Sequence, residues 1–588
     1  MPETLTKILD KVNSPKDLKV LNINELNDLA QEMRELIIKK VNTTGGHFGP
    51  NLGIVEATIA LHYVFDSPKD KIVFDVSHQC YPHKILTGRK EGFTDKDSYL
   101  KYTGYTAPEE SAHDLFKVGH TSTSISLATG LAKGRDLLGE KENIIALIGD
   151  GSLTGGEALE GLNNAAVLNS NIIIVLNDND MSIAENQGGI CNMLTELREC
   201  CGEVENNFFE ALGFEYHYVD NGNNISSLIE TFSRVKDTDH PVLVHIHTIK
   251  GKGFKPAEEN KEPFHWILPE TLDHLNEPAA LQGESYESLT KDYLLKKVSE
   301  GEPIAAINAA TPGVFGWNKE FRDKMGSHYI DVGIAEQQAV AMASGIAKRG
   351  GKPILGIMSS FVQRTYDQLS QDLALNNTPA TLLIFWGGIS SADATHLCTF
   401  DIPLISNIPN IVYLAPTCKE EYLKMLDWSV NQNSCSVAIR VPMNISYSGT
   451  VDSTDYSILN KYKTVNSGKD IAIIAVGSFF EQGKKLADYI KSKLNINPTL
   501  INPCFISGLD KELLNGLKDN HRVVITLEDG ELSGGFGEKI ASYYGSSEMK
   551  VLNYGSQKEF TDRVPLDELY KRYRLLPEMI CEDIEKVI

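Results

Sequence analysis

The chain has 588 residues, 41% of them hydrophobic and 23% charged, nine cysteines and a formal net charge of −23. At about 100–200 residues per domain, this length predicts three or four domains with ordinary globular cores. The acidic balance argues against nucleic acid and anionic membrane as partners, because both are held by basic patches. Any phosphorylated ligand must therefore meet a few local Lys or Arg side chains. The cysteines show no C-x-x-C spacing, and Cys200–Cys201 is a lone adjacent pair, so reduced thiols are expected. No signal-peptide-like apolar core stands at the N-terminus, and no run of 18 apolar residues occurs. Together these predict a soluble, cytoplasmic protein with no membrane span.

In chain order, residues 1–275 alternate apolar strand-like runs with helical patterns, which predicts an α/β domain with a mostly parallel sheet. Its strand candidates are "KIVFDV", "NIIALIG", "NIIIVLN" and "PVLVHIH". Residues 276–300 are polar and Pro-punctuated and read as a linker. A second α/β domain, 301–450, carries "PILGIMS", "ATLLIFW" and "VAIRVP". A second linker is expected at 451–467. A third α/β domain, 468–588, carries "DIAIIAVGS", "HRVVITLED" and "MKVLNYG".

The stretch "GDGSLTGGEALEGLNNAAVLNSNIIIVLNDND" (149–180) reads as one βαβ unit. "NIIALIG" is continuously apolar, as a strand buried on both faces should be. It ends at Gly149-Asp150-Gly151. Thr154 and Glu157 form a capping-box pattern for the next helix. "NIIIVLN" ends at Asn177-Asp178-Asn179-Asp180. Polar turns at the carboxyl ends of parallel strands are where open α/β sheets bind ligands. Asp150, Asn179 and a backbone carbonyl suit a Mg²⁺ ion that also takes diphosphate oxygens, and the glycines allow close backbone approach. Asp, Asn and Gly favour turns in any case, so GDG alone is weak. GDG followed by an Asn after a 27-residue gap, each after a strand, is stronger. It resembles the signature of thiamine diphosphate enzymes, and that resemblance implies Asp150, Asn179 and the Met181 carbonyl as metal ligands.

Such an enzyme also needs an acid at N1′ of the cofactor's pyrimidine. "YIDVGIAEQQAVAMASGIAKRGG" offers Glu336 in the first turn of a helix, where a carboxylate also suits the helix dipole. Phe361, in "SSFVQRTYDQL", is a candidate to stack on the pyrimidine. His47, His78, His120, His265 and His396 all stand in glycine-rich, strand-end or linker contexts. A lone His is usually structural, but five in such places suit proton movements on a carbonyl substrate.

"GGHFGPNLGIVEATIALHYVF", "FDVSHQCYPHKILTGR", "VGHTSTSIS", "LNDNDMSI", "KGKGFKPAE", "DVGIAEQQAV" and "FVQRTYDQL" resemble the 1-deoxy-D-xylulose-5-phosphate synthase family over nearly the whole chain. The resemblance implies a thiamine diphosphate-binding fold in the first two domains and a transketolase C-terminal-like third domain. It implies a homodimer with each site between domains one and two of a single chain. The implied reaction is decarboxylative condensation of pyruvate with D-glyceraldehyde 3-phosphate, feeding isoprenoid, thiamine and pyridoxal synthesis. His78, Gly119, His120, Thr121, Gly151, Ser152, Asn179 and Phe254 would contact the cofactor, with Glu336 at N1′. His47, His265, His396 and Asp393 would line the substrate cavity. Arg364 and Arg440 would bind the acceptor phosphate, for which the Arg fork is suited.

Several positions depart from the family pattern. A few dozen residues are missing after Gly189. The family's Asp-Arg-Ala-Gly turn is Phe385-Trp386-Gly387-Gly388 here, "ADATH" is one residue short, Gln338 replaces a His, and Met358 replaces a Tyr. These departures fall on the acceptor side, so a thiamine-dependent carboligase or ketol transferase with another acceptor is the alternative. A non-catalytic, cofactor-binding relative is disfavoured by Glu336, since binding alone does not need that acid.

Overall fold

The structure is a computed structural model that describes residues 7–275 and 283–588. It forms two compact bodies, Met1–Ala280 with Gly333–Ala335, and Leu281–Val332 with Glu336–Ile588.

After the helix Ile23–Thr44, the first strand of the first body is a two-residue ribbon strand, β1 (Gly46–His47). The five strands of its main sheet follow, β2 (Lys71–Phe74), β3 (Ile144–Gly149), β4 (Ile172–Asp178), β5 (Glu215–Val219) and β6 (Pro241–His247). The order is β2-β3-β4-β6-β5 and every pair is parallel. β7 (Trp266–Ile267) returns antiparallel to β1. The unbroken apolar runs of β3 and β4 have a simple cause. Ile145, Leu147, Ile173 and Val175 enter one core, and Ile144, Ala146, Ile148, Ile172, Ile174 and Leu176 enter the other. Period-two side chains thus bury both faces of the sheet beneath helices.

The second body contains two sheets. β8 (Ile304–Asn308), β9 (Tyr329–Asp331), β10 (Lys352–Met358), β11 (Thr381–Phe385), β12 (Ile411–Leu414) and β13 (Ser436–Val441) form an all-parallel sheet of order β12-β13-β11-β10-β8-β9. β14 (Lys463–Asn466), β15 (Asp470–Ala475), β16 (Thr499–Asn502), β17 (His521–Glu531) and β18 (Lys550–Ser556) form the other, of order β14-β16-β15-β17-β18. Only β14 runs antiparallel. One hydrophobic core serves both sheets, with Ile357, Ile384, Ile402 and Tyr413 packed in the same cluster as Ile474, Ile501, Val524 and Phe536.

The α/β class and the strands expected from sequence are present, but a helix enters the first expected linker and a strand the second. Tyr286–Ser299 is a helix. Ser285 caps it by accepting from Ser288 N at 3.2 Å, and it drives Tyr286, Leu289 and Leu294 into the core beside Trp317. Residues 276–282 of that expected linker lie outside the described residues. In 451–467, β14 joins the third sheet, Tyr456 is buried, and Lys463 Nζ reaches Glu421 at 2.7 Å and Asp452 at 3.0 Å. The expected capping box at Thr154 is also absent. The helix begins at Gly156 with Gly155 as its cap. The Thr154 hydroxyl instead donates to Gly151 O at 2.7 Å and accepts from Ile334 N at 2.9 Å.

Candidate active site

β3 and β4 deliver Asp150 and Asn179 to neighbouring strand ends, since Gly149 pairs with Asn177 in register. Asp150 is buried, and its Oδ2 accepts from Met181 N at 3.0 Å and Asn186 Nδ2 at 2.7 Å. Burial, reinforced by the nearby Asp178 carboxylate, raises its pKa. Asn179 Oδ1 is buried with no protein hydrogen-bond partner. A Cβ on Gly151 would stand 2.8 Å from Ser182 Oγ, so only glycine lets the GDG backbone lie this close to the opposite turn. A carboxyl group and an unsatisfied amide oxygen at adjacent strand ends are the donor set a hard divalent cation takes. The residues present therefore fit the Mg²⁺–diphosphate group.

Two lysines close the same turn. Lys261 Nζ donates to Asn179 O at 2.9 Å, and Lys250 Nζ donates to Ser182 O. Lys250 also meets His265 Nδ1 at 3.0 Å. Burial lowers the Lys250 pKa to about 7 and holds His265 well below its usual value. His265 belongs to a triangle of imidazoles. Ring centroids are 5.1 Å apart for His47–His78, 5.6 Å for His47–His265 and 5.5 Å for His78–His265, with Tyr105 5.9 Å from His47. The β1–β7 ribbon holds this triangle, pairing His47 with Trp266.

Gly119, His120 and Thr121 lie in the loop before the helix Ser124–Leu138. Asp75 fixes that loop by accepting from Ser122 N at 2.8 Å and Ser124 N at 2.9 Å. Ser122 Oγ donates to Ser152 O at 2.8 Å, tying the loop to the GDG turn. Phe254 stacks edge-on against Phe48 at 5.3 Å and Phe264 at 5.8 Å, so its ring also belongs to the hydrophobic core.

A second histidine chain lies in the "HQCYPHKILTGR" region. His62 Nε2 meets His83 Nδ1 at 2.8 Å, and His83 Nε2 meets Asp114 Oδ1 at 2.8 Å. Burial lowers the pKa of His62 and His83, and brings His113 to about 4. The unfolded chain, with His near 6.5, then binds protons that the fold refuses. Stability from these groups is complete above pH 6.5 and is lost as pH falls towards 4, at up to about 1.4 kcal/mol per pH unit for each group. Thermal melting of the ligand-free protein should show a falling midpoint over this window. A flat midpoint between pH 6.5 and 5 would refute the assignment.

In the second body, Glu336 opens the helix Glu336–Lys348 and is buried. Its Oε2 has no hydrogen-bond partner, and Arg364 Nη1 stands 3.6 Å away. Burial raises its pKa against the opposing pull of Arg364. A buried, unsatisfied carboxyl with an elevated pKa is what a partner for a ring nitrogen requires. Phe361 stacks edge-on with His396 at 5.8 Å. Asp393, in the same turn as His396, has Arg563 Nε at 3.6 Å.

Arg440, expected to bind phosphate, is buried and already engaged. Its Nε donates to Asp401 Oδ2 at 2.6 Å and its Nη1 to Asp529. Two carboxylates face one guanidinium, more than balancing its charge, and Gly387 packs directly beneath it. Trp386, where the family pattern has Arg, sits at φ 62° and is 37% exposed. Sequence reading passed over Lys250, Ser122, Asn186 and the Arg440 carboxylates. Of these only Lys250 carried a signal, as the cation of "KGKGF" in an acidic chain.

A family model described as 1-deoxy-D-xylulose-5-phosphate synthase matches residues 9–202 and 198–248. The two matched stretches meet where the sequence is short of the family's segment after Gly189. The transketolase pyrimidine-binding domain matches 285–445 and the transketolase C-terminal domain 460–580. The chain is similar to a 1-deoxy-D-xylulose-5-phosphate synthase of Halothermothrix orenii, at 39% identity over 99% of this chain and 97% of that one. It is similar to the one of Clostridium botulinum at 37% identity, over 99% of this chain and 100% of that one. Full-length relatedness at this level, over a fold with these strand-end turns, makes the chain a member of the 1-deoxy-D-xylulose-5-phosphate synthase family.

Proposed function

We propose that the chain catalyses the decarboxylative condensation of pyruvate with D-glyceraldehyde 3-phosphate, releasing CO₂ and giving 1-deoxy-D-xylulose 5-phosphate. This is the first step of the non-mevalonate isoprenoid route and a supply for thiamine and pyridoxal. The enzyme acts as a cytoplasmic homodimer with thiamine diphosphate and Mg²⁺. One observation carries the reading. Each body holds a buried polar oxygen that protein atoms leave unsatisfied, Asn179 Oδ1 beside Asp150 in the first and Glu336 Oε2 in the second. Thiamine diphosphate supplies a nucleophilic thiazolium carbon and accepts the electron pair left when CO₂ departs.

The chain's own residues do the rest. Asp150, Asn179 and the Met181 carbonyl hold the metal, with Gly151, Ser152, His120 and Thr121 around the diphosphate. Lys250 and Lys261 bring the local basic side chains that a chain of charge −23 must place near a diphosphate. Glu336 shares a proton with N1′. His47, His265 and His396 donate to the oxygens of pyruvate and acceptor. Arg364 is the phosphate ligand, because Arg440 is held by two carboxylates.

Release of ¹⁴CO₂ from carboxyl-labelled pyruvate, with and without D-glyceraldehyde 3-phosphate, tests the activity. Acceptor-dependent release with formation of the pentulose phosphate is expected, and no release under either condition refutes it. Trp386 favours one second reading, a carboligase with an unphosphorylated acceptor. Preference for D-glyceraldehyde over its phosphate in the same assay would establish that reading. Asp150→Ala should weaken thiamine diphosphate binding by more than about tenfold, since even outer partners of metal ligands commonly cost that much. Moderate added Mg²⁺ should not restore it. Unchanged calorimetric affinity would make Asp150 a turn residue only.

A further inference from the structure

The segment after the metal-bearing turn returns to it twice. Asn186 Nδ2 reaches Asp150, as described above. Eleven residues form the helix Gly189–Glu199, whose Leu194 and Leu197 are buried in the core on one face of the first sheet. From its last turn Arg198 reaches back to the end of β4. Its Nη1 donates to Asp178 Oδ1 at 2.8 Å and Oδ2 at 2.6 Å, and its Nη2 donates to Asp180 Oδ1 at 2.7 Å. Thr195 Oγ1 also accepts from Nη2, at 2.8 Å, which fixes the plane of the guanidinium.

The two carboxylates it joins are the residues on either side of Asn179. Asp178 is fully buried, accepts from His245 Nε2 at 3.0 Å, and takes Asp180 N at 3.0 Å. Asp180 sits in the left-handed region at φ 57°, which folds the turn back on itself. Asn179 itself points an unsatisfied oxygen from between them. A rigid planar fork that binds both neighbours of one ligand fixes that ligand's backbone without touching the ligand. A Lys, with a single charged centre, cannot hold both arms in the same way.

We propose that Arg198 is a positioning residue for the metal-bearing turn, and that it couples docking of the segment 186–199 to occupancy by Mg²⁺ and thiamine diphosphate. The proposal rests on the reading of Asp150 and Asn179 as the metal site. Coupling of this kind is reciprocal. Whatever loosens the helix weakens metal binding, and metal binding tightens the helix.

The test uses the full-length protein with Mg²⁺ and thiamine diphosphate as probes. Calorimetry measures cofactor affinity at several Mg²⁺ concentrations, and amide hydrogen exchange follows residues 186–199 with and without both. In the wild type, exchange in this segment should slow on binding. Arg198→Ala should weaken Mg²⁺-dependent cofactor binding by about ten- to a hundredfold, abolish the slowing, and leave the pyruvate KM at saturating cofactor unchanged. Arg198→Lys should recover only part of the affinity. If Arg198→Ala does not fold, Asp180→Asn decides, because that carboxylate is largely exposed and its loss strands no buried charge. A loss of about two- to fivefold is expected there. Wild-type affinity with unchanged exchange protection in whichever of these variants folds overturns the proposal. Failure of the wild type to bind the cofactor at all overturns the site reading itself, and this inference with it.

Discussion

Replacing Glu336 by Gln should lower kcat by about 10²–10⁴-fold, the range assigned to a positioned proton-transfer group, while the protein stays folded and still binds its cofactor. Glu336 lies at the start of its helix with Oε2 unsatisfied and Arg364 at 3.6 Å. Among the described residues that oxygen accepts no hydrogen bond and has only the long ion pair to Arg364, which is little reason for a fold to bury an acid there. Gln keeps the shape and removes the exchangeable carboxyl proton. The thermal midpoint should stay level or rise, because the burial that raises the Glu336 pKa is a cost the amide does not bear. Steady-state turnover and differential scanning calorimetry on the same preparation separate the two effects. Near-wild-type turnover would remove Glu336 from the chemistry and, with it, the thiamine mechanism.

Arg440→Ala should destabilise the second body by about 3–5 kcal/mol, the usual result of removing one member of a buried ionic group. Its guanidinium is the only cation hydrogen-bonded to Asp401 and Asp529 among the described residues, and Tyr413 OH adds a further bond to Asp401. Without Arg440, two carboxylates are left buried without their cation. Adding Asp401→Asn and Asp529→Asn to an Arg440→Met background should recover most of the loss, since neutral replacement of a whole buried ionic cluster is often tolerated. A free phosphate-binding Arg would behave differently. Its loss would raise the acceptor KM and leave the denaturation midpoint in place. Chemical denaturation of the single and triple variants distinguishes the two roles.

The contrast between these side chains shows what the sequence could convey. The strand-end placement of Asp150 and Asn179 was legible because it is local. "NIIALIG" and "NIIIVLN" are continuous apolar runs, their ends are polar, and parallel neighbours must end together. Asp150 and Asn179 therefore meet with no knowledge of anything distant. Glu336 was legible as a first-turn acid after a short strand. Arg440 was not, because its partners lie 39 and 89 residues further along or back in the chain. Nothing in "VAIRVP" announces that two carboxylates await it. The helix Tyr286–Ser299 was hidden for another reason. "YESLTKDYLLKKVS" has a weak apolar stripe and follows a Pro-punctuated tract, so its helicity comes from the Ser285 cap and from packing onto Trp317 and Tyr422. β12 and β16 are only four residues each, too short for periodicity to declare them.

The single core that serves both sheets of the second body bears on how such a chain could be divided. A polypeptide broken between residues 275 and 283 would leave two products, each with complete hydrophobic interiors of its own. A break between 445 and 460 would instead strip Ile402, Ile405 and Tyr413 from Ile474, Ile501 and Phe536, and leave Arg440 and Asp529 on separate chains. A break at the second place would therefore cost more buried apolar contact than one at the first. The two sheets of the second body share one interior and hold together through it.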